Sequence, residues 1–436
     1  MEDYQALADA VAAEIAAGRL RPGDRLPPQR RFARQRGIAN STATRVYGEL
    51  IRRGLAVGET GRGTFVRAAE PRPEPALAEP ATATVDLELN FPVLPEKSAL
   101  VAASLAPLLR PDALTAALRP TGVAGSAAAR EVAAGHLGRG GWRPEPEHLL
   151  FTGNGRQAIA AAVAALVPRG ERLGVEEITY PVVKGIAARL GVTLVPLAMD
   201  AEGILPSALR EASPLRAVYL QPTLHNPLGV TMTASRRAEI LELVAAQGLY
   251  LIDDGINGFL AEECAPLASE RTLVLDSLSK RLGPGLPLGF VSAPPALYEP
   301  VAGAIRSGGW APAHFALEAT TRLMADGVVR EIEQAKRVDA RARQEIAAAR
   351  LPVRADPRAY HCWWPLPEPW RAETFVAAAA RRGIAVTPGA AFTVGAGRAP
   401  NAVRLALASP PKDVLAQALD VLAALARTTP EESGVD

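Results

Sequence analysis

The spacing of apolar positions changes twice along this chain. Over residues 4–17, Leu7, Val11 and Ile15 fall on one helical stripe. A turn at Pro22 and Gly23 separates that helix from a second at about 28–36, and only Gly37-Ile38-Ala39 separates the second from a third at about 40–53. The stretch GETGRGTFV then reads as two short strands around a turn. Two helices joined by so short a glycine-bearing link, followed by a hairpin, predict a winged helix-turn-helix of α+β class over 1–67. Periodicity then stops, because residues 68–84, AAEPRPEPALAEPATAT, hold four prolines and no apolar pattern and are predicted to be an extended tether. From Val85 onward short apolar runs alternate with alanine-rich helical stretches: HLLFTG, ERLGVEE, VTLVPLA, RAVYLQP, LYLIDD, RTLVLDS and PLGFVSA. Buried strands separated by crossover helices give this alternation, so 85–425 is predicted to be α/β with a mainly parallel sheet, and 426–436 a polar tail. In such sheets ligands sit beyond the carboxyl ends of the strands. The residues that follow each run are therefore the informative ones.

A chain of 436 residues is long for one core and fits this multidomain division. The net charge of +2 conceals an asymmetry: up to Arg67, twelve arginines face seven acids, whereas the rest carries 36 basic and 39 acidic residues. A small basic module on a mildly acidic body suits nucleic acid at one end and another ligand at the other. No run of eighteen apolar residues and no basic-then-apolar leader opens the chain, which argues for the cytoplasm and against a membrane partner. Cys264 and Cys362 lie far apart and the five histidines do not cluster, so neither a disulfide framework nor a metal site is expected.

Within the basic module, the third helix opens with Asn40, Ser41, Thr42, Thr44 and Arg45, short polar groups and a guanidinium suited to a major groove. Composition alone leaves a solvated basic hairpin as an equal alternative. The segment EIAAGRLRPGDRLPPQRRFARQRGIANSTATRVYGELIRRGLAVGETGRGTFV resembles the winged helix of the GntR regulators from end to end. The resemblance implies contacts with double-stranded operator DNA from Arg30, from the amino end of the third helix and from the wing at Arg62 and Gly63. Two positions depart from the family pattern: the usual LPSER reads LPPQR, and the arginine that commonly opens the recognition helix is Asn40, a residue that favours adenine over guanine.

In the body, the strand ends carry Gly155 and Arg156 at the start of a helix, Tyr180, Asn226, the pair Asp253 and Asp254, and Ser277-Leu278-Ser279-Lys280. Each alone has a bland reading: a strand-to-helix turn, a core aromatic, a tight turn, a capping acid. Lysine is scarce, five against forty-three arginines, and a lysine amine can lose its proton in a shielded site and attack an aldehyde, which a guanidinium cannot. In this order and spacing, with YHCWWPLP, GIAVTPGAAF and NAVRLALASP following, the body resembles the class I and II aminotransferases, of the fold-type I pyridoxal phosphate (PLP) architecture with a smaller C-terminal α+β subdomain. A GntR winged helix tethered to that body is the arrangement of the MocR-type regulators.

The resemblance implies a role for each residue. Lys280 is the Schiff-base lysine, Asp253 pairs with the pyridinium nitrogen, Asn226 binds the ring hydroxyl and Tyr180 stacks on the ring. The amides of Gly155 and Arg156 and the hydroxyls of Ser277 and Ser279 hold the phosphate, and Arg404 grips the carboxylate of an amino-acid-like effector. Two usual cofactor contacts are absent: the phosphate arginine seven places after the lysine is Pro287, and the ring tyrosine of DDY or DDxY is replaced at Gly255 and Ile256. The expected function is a homodimeric DNA-binding transcription regulator that senses its effector through PLP without net catalysis. A working aminotransferase with a DNA-binding module, and a regulator whose body has lost PLP, remain as alternatives.

Overall fold

The computed structural model describes residues 4–16, 19–20, 24–52, 55–59, 63–66, 83–212, 214–395, 399–430 and 432. The chain divides into two compact units, Met1–Ala76 and Leu77–Asp436, with the division inside the proline-rich stretch. The Pro22–Gly23 turn, Arg62, all of the tether except its last two residues, and residues 431 and 433–436 of the polar tail lie outside the described residues.

The first unit holds helices α1 (Tyr4–Ala16), α2 (Gln29–Arg36) and α3 (Asn40–Arg52), then the antiparallel pair β1 (Ala56–Glu59) and β2 (Gly63–Val66). Helix α2 stops because Gly37 takes the left-handed conformation (φ 66°) and turns its amide back onto the carbonyls of Ala33 and Arg34. That tight stop lets α3 cross α2. Phe32 meets Tyr47 edge to face at 5.4 Å, in a core shared with Val11, Leu26, Val46 and Leu50.

In the second unit all seven apolar runs become strands of one sheet: β3 (Leu149–Thr152), β4 (Arg172–Glu176), β5 (Thr193–Leu197), β6 (Ala217–Leu220), β7 (Tyr250–Asp254), β8 (Thr272–Ser277) and β9 (Gly289–Ser292). Their order is β3-β9-β8-β7-β6-β4-β5. Only β9 runs antiparallel to its neighbours, β8 and β3; the other pairings are parallel. Both faces are covered, with Tyr219, Ile252, Leu273 and Leu275 in one apolar cluster and Val218, Leu220 and Leu251 in another. Helix α4 (Gly155–Leu166) starts two residues beyond β3, and the four-residue α5 (Leu278–Arg281) follows β8 directly. The 21-residue α6 (Val328–Ala348) leads to a smaller α+β subdomain, whose strands β10 (His361–Pro365), β11 (Thr387–Pro388) and β12 (Ala402–Ala406) pair antiparallel in the order β10-β12-β11. Trp364, Trp370, Phe375, Leu405 and Leu419 form its core. The carboxyl ends of β3, β4, β6, β7 and β8 share one edge of the large sheet.

Candidate functional site

That edge encloses a cavity of ≈ 450 Å³, within the usual range for small-ligand sites. Lys280, Asn226, Tyr180, Gly155, Arg156, Ser277 and Ser279 all stand on its wall, as do Ile256 and Pro287. Seven positions separated by up to 125 residues in sequence are thus gathered at one place. Local chemistry explains each placement. Asn154 caps α4 by accepting from the Gln157 amide at 3.0 Å, which directs the first turn of the helix at the cavity. Gly155 faces Ser277 so closely that a methyl group there would lie 3.0 Å from the Ser277 Cβ. Ser277 in turn caps α5, accepting from the Ser279 amide at 3.1 Å, and the two hydroxyls are 2.8 Å apart.

Lys280 Nζ lies 5.9 Å from the centre of the Phe91 ring. Burial, and then the guanidinium of Arg404, lower its pKa to about 8; Asp254 opposes this and Arg156 adds to it. About a tenth of the amine is therefore uncharged at pH 7, far more than for an ordinary lysine, as a nucleophile requires. The acid that faces this amine is Asp254 and not Asp253. Alternation along β7 sends Ile252 and Asp254 to the face that lies against α4, and Leu251 and Asp253 to the opposite face. Asp254 Oδ2 accepts from Tyr219 Oη at 2.5 Å and Gln221 Nε2 at 2.8 Å, and Oδ1 accepts from the Ile256 amide at 3.3 Å. Burial raises its pKa, and these donors resist that rise. Asp253 is turned to the Leu267 amide, 2.6 Å from its Oδ2, and burial raises its pKa to about 6. The acid on the cavity face of this strand is thus Asp254, one residue on from the Asp253 expected there. Counted from Asp254, the places two and three residues on are Ile256 and Asn257, and both are on the cavity wall.

Arg404 is buried on β12 but is not part of the wall. Its Nη2 donates to Glu88 O at 2.7 Å and to Thr387 Oγ1 at 3.0 Å, and its Nε is buried without a partner. Arg281 also points away: it is locked between Asp276 (2.6 Å) and Glu333 (2.5 Å), with His136 3.1 Å from the same Glu333 oxygen. Among the described residues Arg156 is therefore the arginine on the wall, which also includes the neutral Pro287. Sequence reasoning names Asp254 only as the neighbour of Asp253, and it omits Gln221, Asn257 and Phe91. Gln221 directly follows β6, so the rule that ligands lie beyond strand ends was signal enough for it. It also omits Lys336, which was visible as a lysine on the buried stripe Val329, Ile332, Lys336, Ala340, Arg343 of α6.

In the first unit, Arg30 lies in the first turn of α2, while the exposed Asn40 and Ser41 and the half-buried Thr42 form the amino end of α3. Thr44 Oγ1 donates to Gln29 Oε1 at 2.9 Å, tying α3 to α2, and the exposed Arg45 stacks 4.0 Å above the Tyr4 ring. Gly63 opens β2 with φ 122°, and a Cβ there would lie 2.8 Å from Arg25 Nε, so the wing needs glycine at this point.

Residues 115–422 match the family of class I and II aminotransferases, and residues 3–66 match the bacterial regulatory proteins of the gntR family. An uncharacterised HTH-type transcriptional regulator of Bacillus subtilis, YdeF, is 29% identical over 430 residues, covering 93% of this chain and 90% of its own. The vitamin B6 salvage pathway transcriptional repressor PtsJ of Salmonella typhimurium is 28% identical over 303 residues, 65% of this chain and 66% of its own. Among solved structures, an archaeal alanine:glyoxylate aminotransferase shares the fold with a TM-score of 0.71 at 23% identity, covering 79% of this chain and 90% of that one. The chain belongs to the aminotransferase class I and II family, whose PLP-dependent fold it joins to a GntR-type DNA-binding domain as a MocR-type transcriptional regulator.

Proposed function

We propose that the body binds PLP in the cavity at Lys280, that an amino-acid-like or aldehyde effector acts there, and that the state of this site sets the affinity of a homodimer for operator DNA in the cytoplasm. The observation that carries the reading is the set of groups converging on one cavity: a lysine amine with its pKa near 8, a donor-braced carboxylate, a stacking phenol and an anion cradle at a helix amino terminus. Asn226 Oδ1 is buried on this wall without a hydrogen-bond partner, a polar atom that a ligand would satisfy. These residues fit the cofactor. When bound, PLP supplies an aldehyde for the amine and a ring that withdraws electrons.

Each side chain then has a physical task. Asp254 is the acid for the pyridinium, because it faces the cavity with three donors fixing its carboxylate. Asn226 and Asn257 offer amides to the ring edge, and Tyr180 and Ile256 offer flat or apolar surface to its faces. Ser277, Ser279, the first-turn amides of α4 and the Arg156 guanidinium form the anion end, with Arg156 the charge that Pro287 lacks. Arg404 lies just behind the wall, where an anionic effector can draw its free Nε. At the other end of the chain, the exposed start of α3, Arg30 and the Gly63 wing are the DNA-contacting groups.

The test is operator affinity, measured with and without PLP, for the wild type and Lys280→Ala, together with borohydride trapping and peptide mapping of the labelled lysine. The expected result is label on Lys280 alone, with a PLP-dependent change in operator affinity that Lys280→Ala abolishes while operator binding persists. Label elsewhere or nowhere after incubation with excess PLP overturns the proposal, as does an equal PLP response in both proteins.

A further inference from the structure

Helix α6 buries a lysine that none of these roles uses. Lys336 is 0 % exposed. The two acids that act on it electrostatically, Glu333 and Asp339, are engaged elsewhere: Glu333 by Arg281 and His136, Asp339 by Arg343 and Lys412. Lys336 Nζ instead donates to two backbone oxygens of a single turn, Lys280 O at 2.7 Å and Leu282 O at 3.0 Å. Burial of the cation lowers its pKa to about 7.

That turn has need of such a partner. Helix α5 is only four residues long, and the amides of Leu282 and Gly283 both return to Leu278 O. The chain then runs through Pro284 and Pro287, which have no N–H to offer. Among the described residues no backbone amide reaches Lys280 O or Leu282 O. The last carbonyls of a helix are left over in this way and must find a donor elsewhere. Here the donor comes from the next layer of the fold. Glu333, one turn earlier on α6, holds the Arg281 side chain of the same turn, so α6 grips α5 at both side chain and backbone.

We infer that Lys336 is a positioning residue for Lys280: by tying down the two carbonyls of this turn from beneath, it fixes the direction in which the Lys280 side chain leaves the backbone and the surroundings its amine meets. Without that tie, Lys280 O and Leu282 O lose their side-chain donor, and α6 holds the turn only through Arg281. The Lys280 amine then escapes the buried, arginine-flanked position and reaches water or the Asp254 carboxylate. The inference concerns the same site as the proposed function, but it requires only the amine and not the cofactor.

The five lysines of the chain make a clean measurement possible. Full-length protein, freed of any bound aldehyde by dialysis against hydroxylamine, is methylated with formaldehyde and cyanoborohydride across a pH series. The extent at each lysine is read by peptide mapping. In Lys336→Met the midpoint for Lys280 is expected to rise by about one pH unit or more toward that of an ordinary lysine, with Lys97 and Lys412 unchanged. A merely structural role lowers the melting temperature and leaves that midpoint in place. If Lys336→Met does not fold, Lys336→Gln decides by the same readout, since its amide can hold one carbonyl but carries no charge. A folded variant whose Lys280 midpoint stays within about 0.3 unit of wild type overturns the inference, as does a shift shared by all the lysines.

Discussion

Arg156 is the substitution target that separates a retained anion site from a lost one. Among the described residues it carries the only guanidinium on the cavity wall, which also bears Pro287 where relatives by resemblance carry arginine, and Arg281 cannot swing in because it is fixed between Asp276 and Glu333. At a separation of about 4 Å and an effective dielectric near 20, a unit charge pair is worth roughly 4 kcal/mol, an upper bound for a side chain in partial contact with water. Hydrogen bonds to charged groups contribute about 1.5–3 kcal/mol net, the better measure here. Arg156→Gln should therefore weaken PLP binding by about 10- to 150-fold. Pyridoxal, which lacks the phosphate, should lose less than about threefold. Pro287→Arg should recover most of the loss in the Arg156→Gln background and tighten binding by a similar factor alone. Absorbance titration of the four proteins with both aldehydes measures all of this. Equal losses for PLP and pyridoxal, or no rescue by Pro287→Arg, would refute the assignment of the anion end to Arg156.

The two adjacent acids should separate cleanly: Asp254→Asn is expected to weaken PLP binding and change its absorbance. Asp253→Ala is expected instead to cost about 1–3 kcal/mol of stability through the Leu267 amide while PLP binding persists, as chemical denaturation and titration would show. In the DNA-binding unit, Arg30→Ala should weaken operator binding at every sequence and flatten its salt dependence, and Gly63→Ala should weaken it through the wing, both checked by fluorescence anisotropy across a salt series. Two groups should give up stability on acidification, against Asp253 and Asp254, whose raised pKa values return stability over part of the same range. Glu333, held by Arg281 and His136, has its pKa lowered to about 2, and His361, kept neutral by burial, has its pKa lowered to about 3. Both contribute stability above their unfolded values, near 4.5 and 6.5, that is lost as pH falls toward the folded ones. A His361→Gln variant whose melting temperature changes between about pH 6.5 and 4 just as the wild type's does would count against this.

Much of the architecture was legible because buried parallel strands advertise themselves as short apolar runs, and each of the seven runs became a strand of one sheet. The same property concealed the most consequential detail of the site. In a strand with one face in water, the alternation of apolar and polar residues declares which side chains point inward. In β7 both faces are covered, Leu251 and Ile252 are equally buried, and the run carries no parity. Asp253 and Asp254 therefore looked interchangeable, and only the neighbours each strand face meets, α4 on one side and Leu267 on the other, distinguish them. The roles of Arg156 and Arg281 were hidden for a related reason. Both are arginines near a glycine turn, and what sets them apart is an acid 52 residues further on, Glu333, that captures one of them.

The departures from the family pattern acquire a physical sense when taken together. Pro287 removes a cation from the anion end of the cavity, yet the wall keeps one at Arg156. Proline at 287 also leaves the turn after Lys280 short of amide donors, and the fully buried Lys336 supplies donors there from α6. A cavity in decay would have no reason to keep a buried, costly ammonium beneath its lysine or a carboxylate braced by Tyr219, Gln221 and a backbone amide. Helix α6 also reaches the small subdomain, where Arg343 donates to Leu407 O and Pro410 O, just beyond the strand that bears Arg404. One helix thus holds both the turn of the reactive amine and the strand of the guanidinium behind the cavity wall. A ligand that draws on Arg404 and one that engages Lys280 accordingly act on the same rigid element, which is the physical condition for a site of this kind to signal its state rather than only to occupy it.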